Sequence, residues 1–309
     1  MLTLFFPENL EYDFSRGTCL ALGNFDGLHI AHQDLIKKAV YIGENTNLIS
    51  AVYTFSSHPK NFFRPRIKVL TPLEKKTHLI EEIGPDLLIY QNLTPDFLEL
   101  EPEEFVKRYL VDYLHAKHVV VGKHYTFGRG SSGTSFLLKK LGAQYGFRVD
   151  VMDLITTNDG QVISSTNIRN FLQEGKVEEA NILLGRHFSI GGEIESGNRI
   201  GNTIGFPTIN IYAESNWLLP KYGVYVVKVW LDGNWYQGVA NVGVKPTVNG
   251  TRPVIETNIF DHQEDWYGKK AEIVFYQFLR PEKKFSSLGE LKRQIASDSK
   301  RARTILSQM

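Results

Sequence analysis

His29 and His32 lie three residues apart in the stretch Leu22-Gly23-Asn24-Phe25-Asp26-Gly27-Leu28-His29-Ile30-Ala31-His32. In the first turn of a helix that spacing puts both imidazoles on one face, where they can donate hydrogen bonds to phosphate oxygens as charge builds up. Gly23 and Gly27 bracket Asn24, Phe25 and Asp26, and permit a tight turn with close approach of backbone to ligand. The plainer alternative is a pair of surface histidines. A zinc pair lacks the accompanying Cys cluster or HExxH. A second set is Ser164, Ser165, Thr166 and Arg169 in Ile163-Ser164-Ser165-Thr166-Asn167-Ile168-Arg169. Ser165 or Thr166 is expected to cap a helix there, leaving hydroxyls and N–H groups toward an anion. Arg169, one turn in, could grip phosphate oxygens at two points. Simple capping is the alternative. A third set is Thr208 and Asn210 in Gly205-Phe206-Pro207-Thr208-Ile209-Asn210. Two apart, they face the same side of an extended chain, and a hydroxyl and an amide oxygen are hard ligands for Mg²⁺. A turn leading into a half-exposed strand is the alternative there.

These residues need elements to hold them. Thr18 to Leu22 reads as a buried strand, and Asp34 to Val40 has apolar residues at helical spacing. The histidine stretch is therefore a strand-to-helix turn, at the carboxyl edge of a parallel sheet, where ligands bind. The helix end there suits a phosphate. Further strands are expected over Leu48–Phe55, Asp86–Tyr90, Lys117–Gly122 and Phe147–Val151. Helices are expected over Leu73–Ile83, Pro102–Leu114 and Ser135–Tyr145. Such alternation implies a parallel sheet flanked by helices. From Gly191 onward short β-rich runs dominate: Tyr222–Val229, Trp235–Val242, Val254–Phe260 and Ala271–Phe278. Helical periodicity returns from Leu288 to Leu306. The fold class is α/β plus β: a sheet-and-helix half, then a small antiparallel barrel with a C-terminal helix. The boundary falls near Leu184-Gly185-Arg186, giving domains 1–185 and 186–309.

A chain of 309 residues suits two domains. With 35 basic against 34 acidic residues the net charge is +1, which argues against a dedicated nucleic-acid binder. Cys19 is the only cysteine, so no internal disulfide forms and a reducing compartment is expected. Met1 to Pro7 lacks the basic region and apolar core of a signal peptide. No run approaches the roughly 18 apolar residues of a membrane span. The expectation is a cytoplasmic protein with no membrane or nucleic-acid partner. The composition does not fix an oligomeric state.

The histidine stretch resembles the GNFDGxHxGH signature of bacterial bifunctional riboflavin kinase/FAD synthetases, members of the HxGH nucleotidylyltransferase superfamily, with Ala31 at the last glycine. Thr54-Phe55-Ser56-Ser57-His58-Pro59 is similar to the family's TFxPHP, with Ser57 for the first proline. Val121 to Gly128 looks like VGxDFxFG or VGxNFxFG, with His124 at the acidic or amide position. The 163–169 run matches ISSTxIR, and Gly205 to Asn210 resembles GxPTAN. Gly238 to Thr247 resembles GVANVGxRPT, and Val254 to Ile259 resembles the LExHLLD strand, with Asn258 for the histidine. The family usually shows further arginines near Ile200 and Asn202. The resemblance implies a Rossmann-like adenylyltransferase domain followed by a riboflavin kinase barrel. It implies ATP as co-substrate, riboflavin and FMN as substrates, FMN and FAD as products, and Mg²⁺ arriving with the triphosphate. In that reading His29, His32 and Arg169 neutralise charge during adenylyl transfer. Glu256 is the base for the ribityl hydroxyl, and Thr208 and Asn210 hold the metal. Gly23, Asn24, Phe25, Asp26, Gly27, His58, Ser164, Ser165, Thr166, Arg199 and Gly205 contact nucleotide, while Phe62, Phe127 and Arg280 contact flavin. For Phe127 a place in the core is an equal alternative. Two other readings fit the same motifs: one working half, the adenylyltransferase, or a non-catalytic flavin-binding protein.

Overall fold

The computed structural model of the chain describes residues 1–6, 11–62, 67–196, 205–247, 250–262, 264 and 266–309. Arg199, Ile200 and Asn202 lie outside them. By spatial contact the chain divides into two compact units, Met1–Ser165 and Thr166–Met309.

The first unit is built on β1 (Leu2–Phe6), β2 (Thr18–Leu22), β3 (Ile49–Phe55), β4 (Leu87–Gln91), β5 (Ala116–Gly122) and β8 (Arg148–Met152), with a short β6–β7 hairpin (Thr126–Phe127, Gly133–Thr134) outside the sheet. The six strands are all parallel, in the order β1-β4-β3-β2-β5-β8. Strands β2 and β4 are buried at every residue, as expected of apolar runs covered on both faces. The chain steps to β3 on one side of β2 and later to β5 on the other, so β2 and β5 flank the topological switch. Helices α1 (Ile30–Thr46), α2 (Leu73–Glu81), α3 (Pro95–Leu98), α4 (Pro102–Phe105) and α5 (Ser135–Tyr145) are among its connections. The expected strands and helices are present within a few residues. The first residues, read only for targeting signals, form the edge strand β1. The single helix expected over 102–114 starts as a short α-helix, Pro102–Phe105, and continues as a π-helix, Val106–Tyr113. The Leu114 N–H reaches back five residues to the Tyr109 carbonyl. Phe105, Val106, Tyr109 and Leu110 of this segment all lie in the core.

The second unit begins with α6 (Ser165–Glu174, all but its first residue) and α7 (Val177–Leu184). Six strands follow: β9 (Ser189–Glu193), β10 (Ile209–Tyr212), β11 (Gly223–Leu231), β12 (Asn234–Thr247), β13 (Gly250–Ile259) and β14 (Lys270–Arg280). They pair antiparallel in the order β10-β13-β12-β11-β14-β9. A bridge between Glu195 and Asn210 nearly closes the barrel, with the Glu195 N–H donating to the Asn210 carbonyl at 2.9 Å. Helices α6 and α7 are tied to it: Lys221 N–H donates to the Leu172 carbonyl, and Asn181 Nδ2 to the Phe275 carbonyl.

The C-terminal helix α8 (Leu288–Leu306) starts at Ser287, whose hydroxyl accepts from the Glu290 N–H, while the Glu290 carboxylate accepts from the Ser286 N–H. Its Ala302 and Leu306 pack with Val224, Val226, Val239, Phe260 and Leu279 of the barrel. A fork of Arg280 on Asp298 reinforces this, Nε and Nη2 donating at 3.0 and 2.8 Å. Among the described residues no helix is long and apolar enough to cross a membrane.

Because the Arg280–Asp298 pair is largely buried, Asp298→Ala leaves a guanidinium without its counter-charge. We expect about 3 kcal/mol of destabilisation. All four tryptophans, Trp217, Trp230, Trp235 and Trp266, lie in the second unit, so urea unfolding followed by tryptophan fluorescence reads this loss.

Candidate functional site

After β2 the backbone turns sharply: Phe25, Gly27 and Leu28 have φ of 50°, 88° and 38°. Two of these are not glycine, so the turn is strained and must be held. Asp26 holds it. Buried at 6% exposure, its carboxylate accepts from the Leu70 N–H at 2.9 Å and the Thr71 N–H at 3.1 Å. Thr71 Oγ1 in turn accepts from the Gly27 N–H at 3.0 Å. The Phe25 ring is fully buried and lies where a side chain on Gly23 would be, 2.9 Å from the position of its Cβ. Phe25 and Asp26, both expected to contact nucleotide, thus direct their side chains inward and shape the turn from beneath.

His29 is the N-cap of α1, its Nδ1 accepting from the His32 N–H at 3.3 Å. That tautomer places the ring proton on Nε2. The His29 and His32 rings stack, with centroids 3.6 Å apart and planes at 17°, and Phe25 meets His32 edge-on. Two imidazoles, one of them with a fixed donor, therefore stand at a helix N-terminus on the carboxyl edge of the sheet.

The neighbouring loops end at the same edge. Thr54 Oγ1 donates to the Asn24 carbonyl at 3.1 Å. Half-buried His58 follows β3, and exposed Phe62 follows the turn after it. His124 is exposed in the loop after β5. Ser165 departs from expectation. Helix α6 begins at Ser165 itself, so neither it nor Thr166 is the cap, and its hydroxyl donates to the Asp26 carbonyl at 2.7 Å. Arg169 lies one turn further along α6. Phe127 takes the alternative place: at 7% exposure it stacks on Tyr125 and packs against Phe105 in the core.

Lys76 was not singled out from the sequence. Its Nζ, buried under α2, donates to the Phe55 carbonyl at 2.8 Å and lies 5.2 Å above the Tyr90 ring. Burial drives its pKa from an ordinary 10.5 down to about 8, against the opposing pull of Asp26. A signal was present: Lys76 and Ile80, four apart, share the helix face that meets the core.

In the barrel, Asn210 and Glu256 are directly opposed across β10 and β13, and Glu256 is directly opposed to Asn241 across β12. The three side chains therefore line one face. Asn210 is 2% exposed. The Lys245 ammonium, also unmarked in the sequence reading, donates to Asn210 Oδ1 at 3.0 Å and pairs with Glu256 Oε1 at 2.5 Å. Asn258 Nδ2 donates to the Pro207 carbonyl at 2.7 Å and so holds the segment that leads to Thr208, which is half-buried. Gly205 has φ of 83° and an exposed backbone. Arg280, expected at the flavin, is instead engaged by Asp298.

The donors fit a hard divalent cation. The oxygens of Asn210 and Glu256 converge closely enough to share one positive charge, and they already hold one, the Lys245 ammonium.

Two family models match the chain, FAD synthetase over residues 12–167 and riboflavin kinase over residues 184–306. A bifunctional riboflavin kinase/FMN adenylyltransferase of Listeria monocytogenes is 40% identical over 294 residues, covering 94% of this chain and 93% of its own. One from Bacillus subtilis is 36% identical over 304 residues, covering 96% and 95%. A solved structure described as a macrolide-efflux protein from Streptococcus pneumoniae is 29% identical, with a TM-score of 0.86 over 98% of this chain and 99% of that one.

The depressed Lys76 pKa makes stability depend on pH. Between about 8 and 10.5 the unfolded chain holds more protons at this side chain than the folded one, so stability contributed here rises with pH. Between pH 7.5 and 9.5 the wild type should gain about 2 kcal/mol relative to Lys76→Met, in urea unfolding of the first unit followed by circular dichroism.

Proposed function

Because the chain belongs to the bifunctional riboflavin kinase/FMN adenylyltransferase family, we propose that it makes FAD from riboflavin in two ATP-dependent steps, each carried by its own set of residues. The kinase step phosphorylates riboflavin to FMN; the adenylyltransferase step joins FMN to the AMP part of ATP and releases pyrophosphate. The functional halves are taken as 1–185 and 186–309. Helices α6 and α7 go with the first by motif and with the second by packing.

In the first half an FMN phosphate oxygen attacks the α-phosphorus of ATP and no covalent enzyme intermediate is needed. The work is positioning and charge neutralisation. His29 Nε2–H and His32 are the donors we assign to the phosphate oxygens. The backbone of Gly23 to Gly27 gives the close approach, with His58, Ser164, Ser165, Thr166 and Arg169 as further nucleotide contacts and exposed Phe62 as a flavin contact. Phe127 and Arg280 are committed elsewhere, and no flavin role is assigned to them. Arg199 keeps its nucleotide role on the sequence alone, as does Gly205.

In the second half Glu256 accepts the proton of the ribityl 5′-hydroxyl while the γ-phosphoryl group transfers. Thr208 and Asn210 would hold Mg²⁺, which would neutralise phosphate charge. What supports this reading is the direct opposition of Asn210 and Glu256 across two paired strands: it sets a neutral oxygen ligand beside a carboxylate. The single cysteine, Cys19, is buried, and burial pushes its thiol up to about 12, which suits a cytoplasmic protein that uses no thiol chemistry.

Purified protein given riboflavin, ATP and Mg²⁺ should yield FMN and then FAD, resolved by chromatography. Glu256→Ala should abolish FMN formation and leave FAD formation from supplied FMN intact. His29→Ala should do the reverse, lowering FAD formation about 10²–10³-fold, as loss of a charge-stabilising donor commonly does. FAD from FMN but none from riboflavin in the wild type would reduce the protein to an adenylyltransferase.

A further inference from the structure

We propose that Lys245 is the resident cation of the kinase site, a positioning residue that a divalent metal must displace from Asn210. The inference rests on the reading of Thr208 and Asn210 as metal ligands.

The Lys245 Nζ is 3.0 Å from Asn210 Oδ1 and 2.5 Å from Glu256 Oε1. Its side chain is 18% exposed and that of Glu256 31%, so this is a partly buried contact rather than a solvated surface pair. Lys245 is four residues along β12 from Asn241, the residue that opposes Glu256. Its long stem has to run back along the barrel face to arrive there. The register that sets Asn210 against Glu256 thus creates a small acidic cup, and the ammonium fills it.

An ammonium is a compact, strongly hydrated point cation, unlike the planar guanidinium of arginine. It meets oxygen ligands much as a small metal ion does, though with weaker, longer contacts. Mg²⁺ binds oxygen at about 2.0–2.1 Å. A dication at that distance from Asn210 Oδ1 would stand within a few ångströms of the ammonium that now shares the same oxygen. Like charges so close repel strongly in a site partly removed from water. The two cations therefore exclude each other at Asn210. When metal arrives, Lys245 swings off Asn210 on its flexible stem. Without metal, it keeps the amide and the carboxylate together, so the site does not splay. The consequence is a raised requirement for Mg²⁺ at the kinase site alone.

Isothermal calorimetry of ADP binding to the full chain, across a series of free Mg²⁺ concentrations, tests this without turnover. Lys245→Met should lower the Mg²⁺ needed for half-maximal binding at the kinase site by about fivefold or more, the lower end of what coupled sites show. The same substitution in an Asn210→Ala chain should change nothing, which also separates this site from nucleotide binding in the first half. Lys245→Gln replaces the methionine variant if that one does not fold. An unchanged or higher Mg²⁺ requirement in a folded Lys245 variant, or weaker ADP binding at saturating Mg²⁺, overturns the proposal. If the wild-type kinase-site component ignores both Mg²⁺ and Asn210→Ala, the metal reading itself fails and this inference falls with it.

Discussion

The buried carboxylate of Asp26 is the constraint on which the first half depends. A turn with positive φ at Phe25 and Leu28 carries strain that no local sequence preference relieves. Asp26 offsets it by accepting backbone N–H groups from Leu70 and Thr71, more than forty residues away. Hydrogen bonds to a charged acceptor are stronger than those between neutral groups. The turn, the start of α1 and the segment leading to α2 are thereby joined into one rigid piece. The stacked pair of His29 and His32 inherits its orientation from that piece, and His29 is further fixed by capping the helix with its own ring. Preorganised donors of this kind are what phosphate chemistry asks of a protein.

Beneath the same edge lies Lys76, whose side chain is buried. Its bond to the Phe55 carbonyl ties the end of β3 to α2, and Tyr90 offers the face of its ring. A buried amine costs stability in its charged form, yet it occupies the place where a strand end that carries a binding loop would otherwise fray. The loop that follows contains His58.

The second half reaches its site differently. A barrel has no helix end to offer, so side chains from adjacent strands supply the ligands. Asn210, Glu256 and Asn241 stand in a row because side chains on paired strands keep register. Asn258 holds the Pro207 carbonyl and so fixes the approach to Thr208. The ion pair of Arg280 with Asp298 belongs to the framework: it fastens α8 over the apolar patch formed by Val224, Val226 and Val239.

Much of this was legible in the residues alone. Apolar runs of five to eight residues alternating with 3.6-residue periodicity announced the parallel sheet, and successive β-rich runs of seven or eight residues with no helical pattern between them announced the barrel. The motifs placed His29, His32, Asn210 and Glu256 on the ends and faces where they occur, because those features are local. What the residues alone did not determine were pairings across long separations. Asp26 facing Leu70, Lys76 under Phe55, Ser165 on the Asp26 carbonyl, Arg280 on Asp298 and Lys245 on Asn210 each join parts of the chain 18 or more residues apart. Phe127 entered the core for the same reason. Periodicity tells which way a side chain leaves its own backbone, but its partner is set by strand order and register, and those exist only once the whole sheet or barrel has closed.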